Sequence, residues 1–440
     1  MSLKPPEKVG KLQAALHAKA KASPDYRFYL LYDKLYRRDV LLHAYERCRQ
    51  NAGGPGVDGQ TFADIEAYGV AAWLEEMARE LQDKTYRAQP VQRQWLTKPD
   101  GKQRPLGVPT IRDRVVQMAA VLVLEPIFEA DLPSEQYAYR SGKSSLDAVR
   151  RVQELLDAGC TDVVDADLSG YFDSIPHAEL MKSVARRVSD RHLLHLLKMW
   201  LEAPVEETDA RGRVQRTTRN KDDGRGTPQG GVASPLLANL YMRRFILGWK
   251  RDHEARLQAY IVNYADDFVI CSRGHADEAM TAMRDMMARL RLTVNEQKTR
   301  RARLPEDTFL FLGYTFGRHY SRQTGGSYLG PRPAATKVRK LCRAISEWTD
   351  RRTCRRDTPE EVAMLNHMLR GWANYFCLGP VVQAYELVMK HTERRLRRWL
   401  CHKHKVRTGQ YARFPNEVLH GQLGLAELRG RGHRLLWAKE

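Results

Sequence analysis

Asp266 and Asp267 stand side by side in VNYADDFVI, Val262 to Ile270, an otherwise apolar run rich in β-favouring residues. A third acid, Asp167, lies at the end of another such run, TDVVDADL, Thr161 to Leu168. Runs of this kind head for a core, and carboxylates carried there are costly unless something neutralises them. If the two runs are neighbouring strands, three carboxylates converge at one sheet edge, and their mutual repulsion demands cations. Two Mg²⁺ ions are the obvious neutralisers, because hard carboxylate oxygens suit them. A pair of Mg²⁺ held in this way serves in-line phosphoryl transfer, activating an attacking oxygen and stabilising a leaving one. The incoming triphosphate and its leaving group are polyanions, so fixed cations are needed as well. Lys98 and Arg104, on either side of a turn, can supply them.

The elements that carry these residues can be read from pattern. QWLTKPDGKQRPLGVPT, Gln94 to Thr110, predicts two short strands around a Pro-Asp-Gly turn at 99–101. Helical patterns run from about 112 to 130 and from about 144 to 158, and SIPHAELMKSVARRV starts a helix at its proline. Pro204 to Gly226 is charged and in places β-branched, as an exposed hairpin would be. TPQGGVASPLLANLYMRRFILGWK is a loop running into a long helix, and AYIVNYADDFVICS is two strands with a tight turn at the acid pair. Met280, Met283, Met287 and Leu290 share one helical face and read as core. The first fifty or so residues read as basic, aromatic-rich helices. NAGGPGVDGQT, Asn51 to Thr61, lacks the Lys-Ser or Lys-Thr ending of a phosphate-binding loop and reads as a turn or backbone-contact loop.

A chain of 440 residues is long for one core, so two or three subdomains are expected. Its net charge of +20 points to a polyanionic partner, nucleic acid first, although charge that only keeps a protein soluble is the plainer alternative. The excess is concentrated from Pro331 to Arg413, with nineteen Lys and Arg against seven Asp and Glu and with Trp and Tyr interleaved. Seven cysteines form no CxxC pair, which argues for a reducing cytosol and against structural zinc. Cys401, His402 and His404 in LCHKHK are too crowded for one tetrahedral site and suit a solvated or RNA-facing helix end. The N-terminus has no apolar signal core, and the longest apolar run, Val115 to Leu124, is broken by Gln117. A cytoplasmic protein with no membrane contact is expected, in a bacterial cytosol.

Taken alone, an Asp-Asp pair in a turn is most often a solvated turn. Order and context change that reading, because the sequence resembles the group II intron-encoded reverse transcriptases over nearly its whole length. KPDGKQRPLGVPTIRDRVVQ resembles the family's fingers motif, DADLSGYFDSIPH its motif A, GTPQGGVASPLLANLYM motif B and YADD motif C. LTVNEQKT resembles motif D and FLGYTF the primer grip, so six motifs stand in the family's order. GWANYFCLG with RRLRRWLCHKHK resembles the maturase domain, which serves as thumb and grips intron RNA.

The resemblance implies that Asp167, Asp266 and Asp267 form the metal site, with Asp267 the more peripheral and the Leu168 carbonyl also touching metal. It places Phe172 at the steric gate that favours dNTPs over rNTPs, and Gln229 at the nucleotide sugar and base. Lys98 and Arg104 would hold the triphosphate, and Lys298 would protonate departing pyrophosphate. Phe172 as plain core and Lys298 as a solvated charge are the competing readings, and Asp173 is expected to fix a turn. Arg394, Arg395, Arg397 and Arg398, beside Trp399 and Tyr375, would meet RNA phosphates and stack on bases.

The implied fold is α+β: a right-hand polymerase with an antiparallel palm sheet, followed by an α-helical thumb. The expected divisions are an N-terminal extension to 60, fingers over 61–155, palm over 156–325 with the 204–226 hairpin inserted, thumb over 331–413, and a basic tail over 414–440. The implied activity is RNA-directed DNA polymerisation, with an RNA template, a DNA or RNA primer, dNTPs, a DNA target and a group II intron RNA as partners. A free-standing relative serving phage defence, spacer acquisition or DNA repair, and a splicing cofactor that polymerises little, are the alternatives. YAYRSGKSS at Tyr137 to Ser145 departs from the Gly-Phe-Arg of many members, which leaves the subgroup open. The sequence ends without the Cys/His-rich endonuclease domain of some members, so priming at a nick, a fork or single-stranded DNA is expected.

Overall fold

Long helices with one apolar face alternate with short β-branched strands, and the computed structural model folds them as an α+β protein. It describes residues 3–97, 101, 103–209, 211–320 and 325–428. The described strands are β1 (Val91–Thr97), β2 (Gln103–Val108), β3 (Asp162–Asp167), β4 (Val205–Thr208), β5 (Val214–Thr217), β6 (Tyr260–Tyr264), β7 (Asp267–Ser272), β8 (Arg300–Arg303), β9 (Phe309–Phe311), β10 (Tyr314–Tyr320) and β11 (Ser327–Pro333). They form three sheets, ordered β2-β1-β4-β5, β6-β7-β3-β8 and β11-β10-β9.

The chain divides into two compact units. The first takes the chain up to Lys143 with Ala166–Phe268 and Glu278–Thr299; the second takes Ser144–Asp165, Val269–Asp277 and the chain from Arg300 on. The division passes through β3 and β7.

In the first unit, the helix Ile111–Glu129 is apolar almost all round, and Val115, Val116, Ala119, Val123 and Ile127 are fully buried. A helix of that composition must be covered on every side, and the helices Glu7–Ala22 and Arg38–Gln50 pack on it. Thr110 caps its start by accepting from the Asp113 amide at 3.1 Å, while the Asp113 carboxylate accepts from the Tyr86 hydroxyl at 2.5 Å. The glycine-rich loop before it is a backbone contact: a Cβ on Gly56 would fall 2.7 Å from the Thr110 backbone. The two predicted hairpins are present and joined, β1 and β2 pairing out to Thr97 and Gln103, and β4 meeting β1 in parallel at Val91 and Val205. Pro99 and Asp100 of the predicted turn lie outside the described residues.

In the second unit, β10 and β11 pair from Tyr314 and Pro333 to Tyr320 and Ser327, and β3 pairs with β8 from Asp162 and Arg303 to Asp165 and Arg300. Three helices, Ala335–Trp348, Thr358–Tyr375 and Val382–Lys403, close on a core that includes Ile345, Leu365, Leu369, Val388, Leu396 and Trp399. In the first unit, the methionine face predicted as core is shifted slightly: Met283, Met286 and Met287 are buried, while Met280 and Leu290 are half-buried. Among the described residues, no helix is long and apolar enough to cross a membrane.

Candidate active site

The acid pair lies at a two-residue turn. β6 ends at Tyr264 and β7 begins at Asp267, leaving Ala265 and Asp266 to reverse the chain. Ala265 has φ +59°, a left-handed conformation that costs an L-residue about 1–2 kcal/mol. It is held there by Asn263, a buried residue whose side-chain amide donates to the Ala265 carbonyl at 2.8 Å. Asn263 is itself fixed on the backbone, its amide donating to Glu135 at 2.9 Å and its carbonyl accepting from Tyr137 at 3.0 Å. Asp266 and Asp267 are both half-buried.

Asp167 is gripped by the segment Thr293–Thr299. The Asn295 amide donates to the Asp167 carbonyl and the Ser169 amide to the Thr293 carbonyl, both at 2.8 Å. The Asp167 carboxylate accepts from the Asn295 side chain at 3.0 Å and from the Lys298 ammonium at 2.9 Å. Because successive residues of an extended chain aim their polar groups at opposite edges, these bonds turn the Leu168 carbonyl away from Thr293–Asn295. The hydrogen bond to Asp167 holds the Lys298 ammonium above its usual range, and the fields of Asp266 and Asp267 add to it. Asp167, at the end of β3, and Asp267, at the start of β7, lie on neighbouring strands of one sheet. Among the described residues, no group of three His, Cys, Asp or Glu side chains is gathered closely enough to hold a metal ion by itself. Of the protein's own groups, Lys298 is the neutraliser of Asp167.

A second network joins Arg104, Gln229 and Asp173. Arg104, exposed on β2, donates from Nε to the Gln229 amide oxygen at 3.2 Å, and the Gln229 amide nitrogen donates to the Asp173 carboxylate at 2.9 Å. The loop bearing Gln229 is fastened to β2, since the Gly107 amide donates to the Gln229 carbonyl at 2.5 Å. Gly230 has φ +112°, and a Cβ there would collide with the Gly107 carbonyl. Phe172, only 8 % exposed, packs edge-on against Tyr171, and its carbonyl accepts from the Thr227 amide at 2.7 Å. Burial pushes the Asp173 carboxyl up, with Arg93, Gln229 and Arg104 pulling it back. The sequence reading placed Asp173 in a turn; its amide does bond the Gly170 carbonyl at 3.0 Å, but its carboxylate also anchors Gln229. No local signal marked this pairing, since the two residues lie fifty-six positions apart. Lys98 lies outside the described residues.

Residues 96–316 match the family described as reverse transcriptase (RNA-dependent DNA polymerase), and residues 338–414 match the group II intron maturase-specific domain. The chain belongs to the reverse transcriptase family. It is 31% identical over 353 residues to Protein YkfC of Escherichia coli K12, covering 71% of this chain and 90% of that protein. It is 31% identical over 228 residues to the group II intron-encoded protein LtrA of Lactococcus lactis subsp. cremoris, covering 51% of this chain but 36% of LtrA. A solved structure of a partial Cas6-RT-Cas1–Cas2 complex aligns with a TM-score of 0.36 at 22% identity, over 59% of this chain and 42% of that one, which is too loose to carry an argument.

In this reverse transcriptase the four candidate RNA-contacting arginines lie on the helix Val382–Lys403 and divide into two kinds. Arg394 and Arg398 are exposed. Arg395 donates to the Thr349 hydroxyl at 3.0 Å and to the carbonyls of Ser346 and Thr349 at 2.7 and 2.8 Å. Arg397, 3 % exposed, donates to the Phe414 carbonyl at 2.7 Å and to Asn416 at 2.6 Å, with Tyr411 under its guanidinium. The expected base stacking is corrected as well. Trp399 is 1 % exposed in the helical core, and the half-buried Tyr375 donates to the Leu312 carbonyl at 2.6 Å and packs against Tyr314. The helical core encloses Trp399, and β10 and the Leu312 carbonyl engage Tyr375.

Proposed function

We propose that the chain copies RNA into DNA by adding dNTPs to a primer 3′-OH. The observation that carries this reading is that Asp167, ending β3, and Asp267, beginning β7 beside Asp266, lie on neighbouring strands of one sheet, with Lys298 on Asp167, in a chain of this family. Hard oxygen donors suit divalent cations, and Asp167, Asp266, Asp267 and the Leu168 carbonyl are the groups that would hold two Mg²⁺, with substrate phosphate oxygens completing the set. Bound there, the metal supplies charge stabilisation to the attacking and leaving oxygens. The primer 3′-hydroxyl gives up its proton to water as its oxygen bonds to the α-phosphorus and the bond to pyrophosphate breaks, and Lys298 gives its proton to the departing pyrophosphate. Arg104, with Lys98, binds the triphosphate, and Gln229 meets the nucleotide sugar and base. Asp173 keeps the Gln229 amide turned so that its nitrogen faces the acid and its oxygen faces Arg104. Phe172, clamped to the Gln229 loop through Thr227, bars a ribose 2′-OH, which makes dNTPs the preferred substrates.

In this reading residues 61–155 act as fingers, 156–325 as palm and 331–413 as a thumb that also grips a group II intron RNA. The DNA strand and the intron RNA are taken as partners by analogy with the maturase-domain match. Primer extension on an RNA template tests the polymerase, with Asp266→Ala as control: cDNA that disappears in the variant supports it, and no Asp-dependent cDNA from the wild type ends it. Sequencing the RNA crosslinked to the protein in its native cell tests the maturase. One structured transcript containing the protein's own reading frame is the expected result, while a scatter of unrelated RNAs points to work outside splicing.

A further inference from the structure

The stretch YAYRSGKSS departs from the family pattern, and its first residues are held with unusual firmness. The Tyr137 amide donates to the Asn263 carbonyl at 3.0 Å, and the Ala138 carbonyl accepts from the Asn239 side chain at 2.8 Å. Buried Gln136 donates to the Asn239 carbonyl at 3.0 Å. Arg140, its side chain 5% exposed, donates to Glu129 at 3.0 Å and to the carbonyls of Pro133 and Gln136 at 2.6 and 2.9 Å. Tyr139 lies in the middle of these anchors and behaves in the opposite way. Its backbone is left-handed at φ +56°, an uncommon conformation for a bulky residue, and 54% of it is exposed. Strain of this kind persists only where the surroundings over-determine it, and it gathers at functional sites.

The backbone that carries this ring is tied to the active-site turn. Asn263, which binds Tyr137, is the same residue that fixes the Ala265–Asp266 turn. Burial pushes the Tyr139 phenol up, as do the Asp266 carboxylate and the Tyr264 phenol, while Arg104 pulls it down. Its electrical neighbours therefore come from the metal side and the triphosphate side together. What lies between a metal-binding carboxylate and a triphosphate-binding guanidinium is the nucleoside part of the incoming nucleotide, and a flat aromatic face suits a base or sugar of any sequence.

We propose that Tyr139 is a nucleotide-binding residue whose ring packs against the base and sugar of the incoming dNTP. This rests on the polymerase reading above. Single-nucleotide incorporation on an RNA template, with thermal melts alongside, tests it in Tyr139→Ala and Tyr139→Phe. Tyr139→Ala should raise KM for dNTP about tenfold, leave kcat within about threefold, leave KM for primer–template unchanged and not lower Tm. Tyr139→Phe should stay close to the wild type, because the ring and not the hydroxyl makes the contact. An unchanged KM for dNTP in Tyr139→Ala overturns the proposal, as does a defect confined to primer–template binding or one that tracks a fall in Tm. A phenylalanine variant as impaired as the alanine variant overturns the packing role. If wild-type extension does not depend on Asp266, the polymerase reading itself has failed; if it does and Tyr139→Ala is normal, only this inference has failed.

Discussion

At the candidate catalytic edge of the first unit, Asp167, Asp266 and Asp267 stay half-buried, and the ammonium paired with Asp167 is at the surface. On the helix Val382–Lys403 of the second unit, Arg395 and Arg397 are closed in by carbonyls and an amide, while Arg394 and Arg398 point to water. Both regions gather several charged side chains. They differ in whether the fold saturates that charge. A group that must accept new partners during a reaction is left with one or two replaceable bonds, whereas a group that builds the fold has its donors filled and cannot turn outward without leaving buried acceptors unpaired.

The contrast is broken most directly at Asp167. Asp167→Asn is expected to lower primer extension by about a thousandfold or more, since charge stabilisation at the reacting phosphate is lost. Stability should change by less than about 1 kcal/mol, because the Lys298 end of the ion pair is exposed and asparagine keeps an oxygen for Asn295. A collapse in Tm would show that this acid builds the fold after all. Arg397→Met should do the reverse. It leaves the Phe414 carbonyl and the Asn416 side chain without their donor, and denaturant melts should show a loss of roughly 2–4 kcal/mol. RNA affinity of the folded protein should remain as in the wild type.

Glu361 sharpens the comparison, as an acid that the second unit has buried. It is 0 % exposed, neither carboxylate oxygen has a hydrogen-bond partner, and Arg356 lies 3.6 Å away. Burial pushes its carboxyl up to about 7, with Arg356 pulling it down. The folded chain therefore keeps a proton that the unfolded chain releases. Stability from the protonated form is complete below pH 4.5, the ordinary value, and falls as pH rises to about 7. Glu361→Gln cannot release that proton, so melts from pH 4.5 to 8 should show the variant gaining on the wild type by up to about 3 kcal/mol. A gap independent of pH would mean that Glu361 is not buried as a neutral acid. The smallest effect belongs to the exposed arginines. Arg394→Ala and Arg398→Ala should each reduce the salt dependence of RNA binding by about one unit of slope and leave Tm unchanged, and a normal slope in both would remove this helix face from the RNA site.

Features that depend on neighbours in sequence were legible without coordinates. The hairpin around Lys98, the helix after Thr110, the strand ending on Asp167 and the turn at Asp266 are each dictated by alternation, caps and turn residues within a few positions, and the structure has all of them except the turn residues it does not describe. The order of the six motifs was enough to indicate the family that residues 96–316 match. What escaped was set by distant partners. Arg397 reads like Arg398 until Phe414 and Asn416 fold back on it. Trp399 reads as a stacking platform until three helices close over it. Asp173 reads as a turn residue until the Gln229 loop arrives fifty-six positions later. No local pattern encodes such meetings, because each is decided by where a second element lands.

The closeness of Gly230 to Gly107 has a consequence for anyone who tries to evolve this protein. In a saturation library, position 230 should return glycine alone, since even a methyl group would prise the Gln229 loop from β2. Selection for altered nucleotide choice will then have to work through side chains around that backbone seam, because the seam itself offers no variation to select.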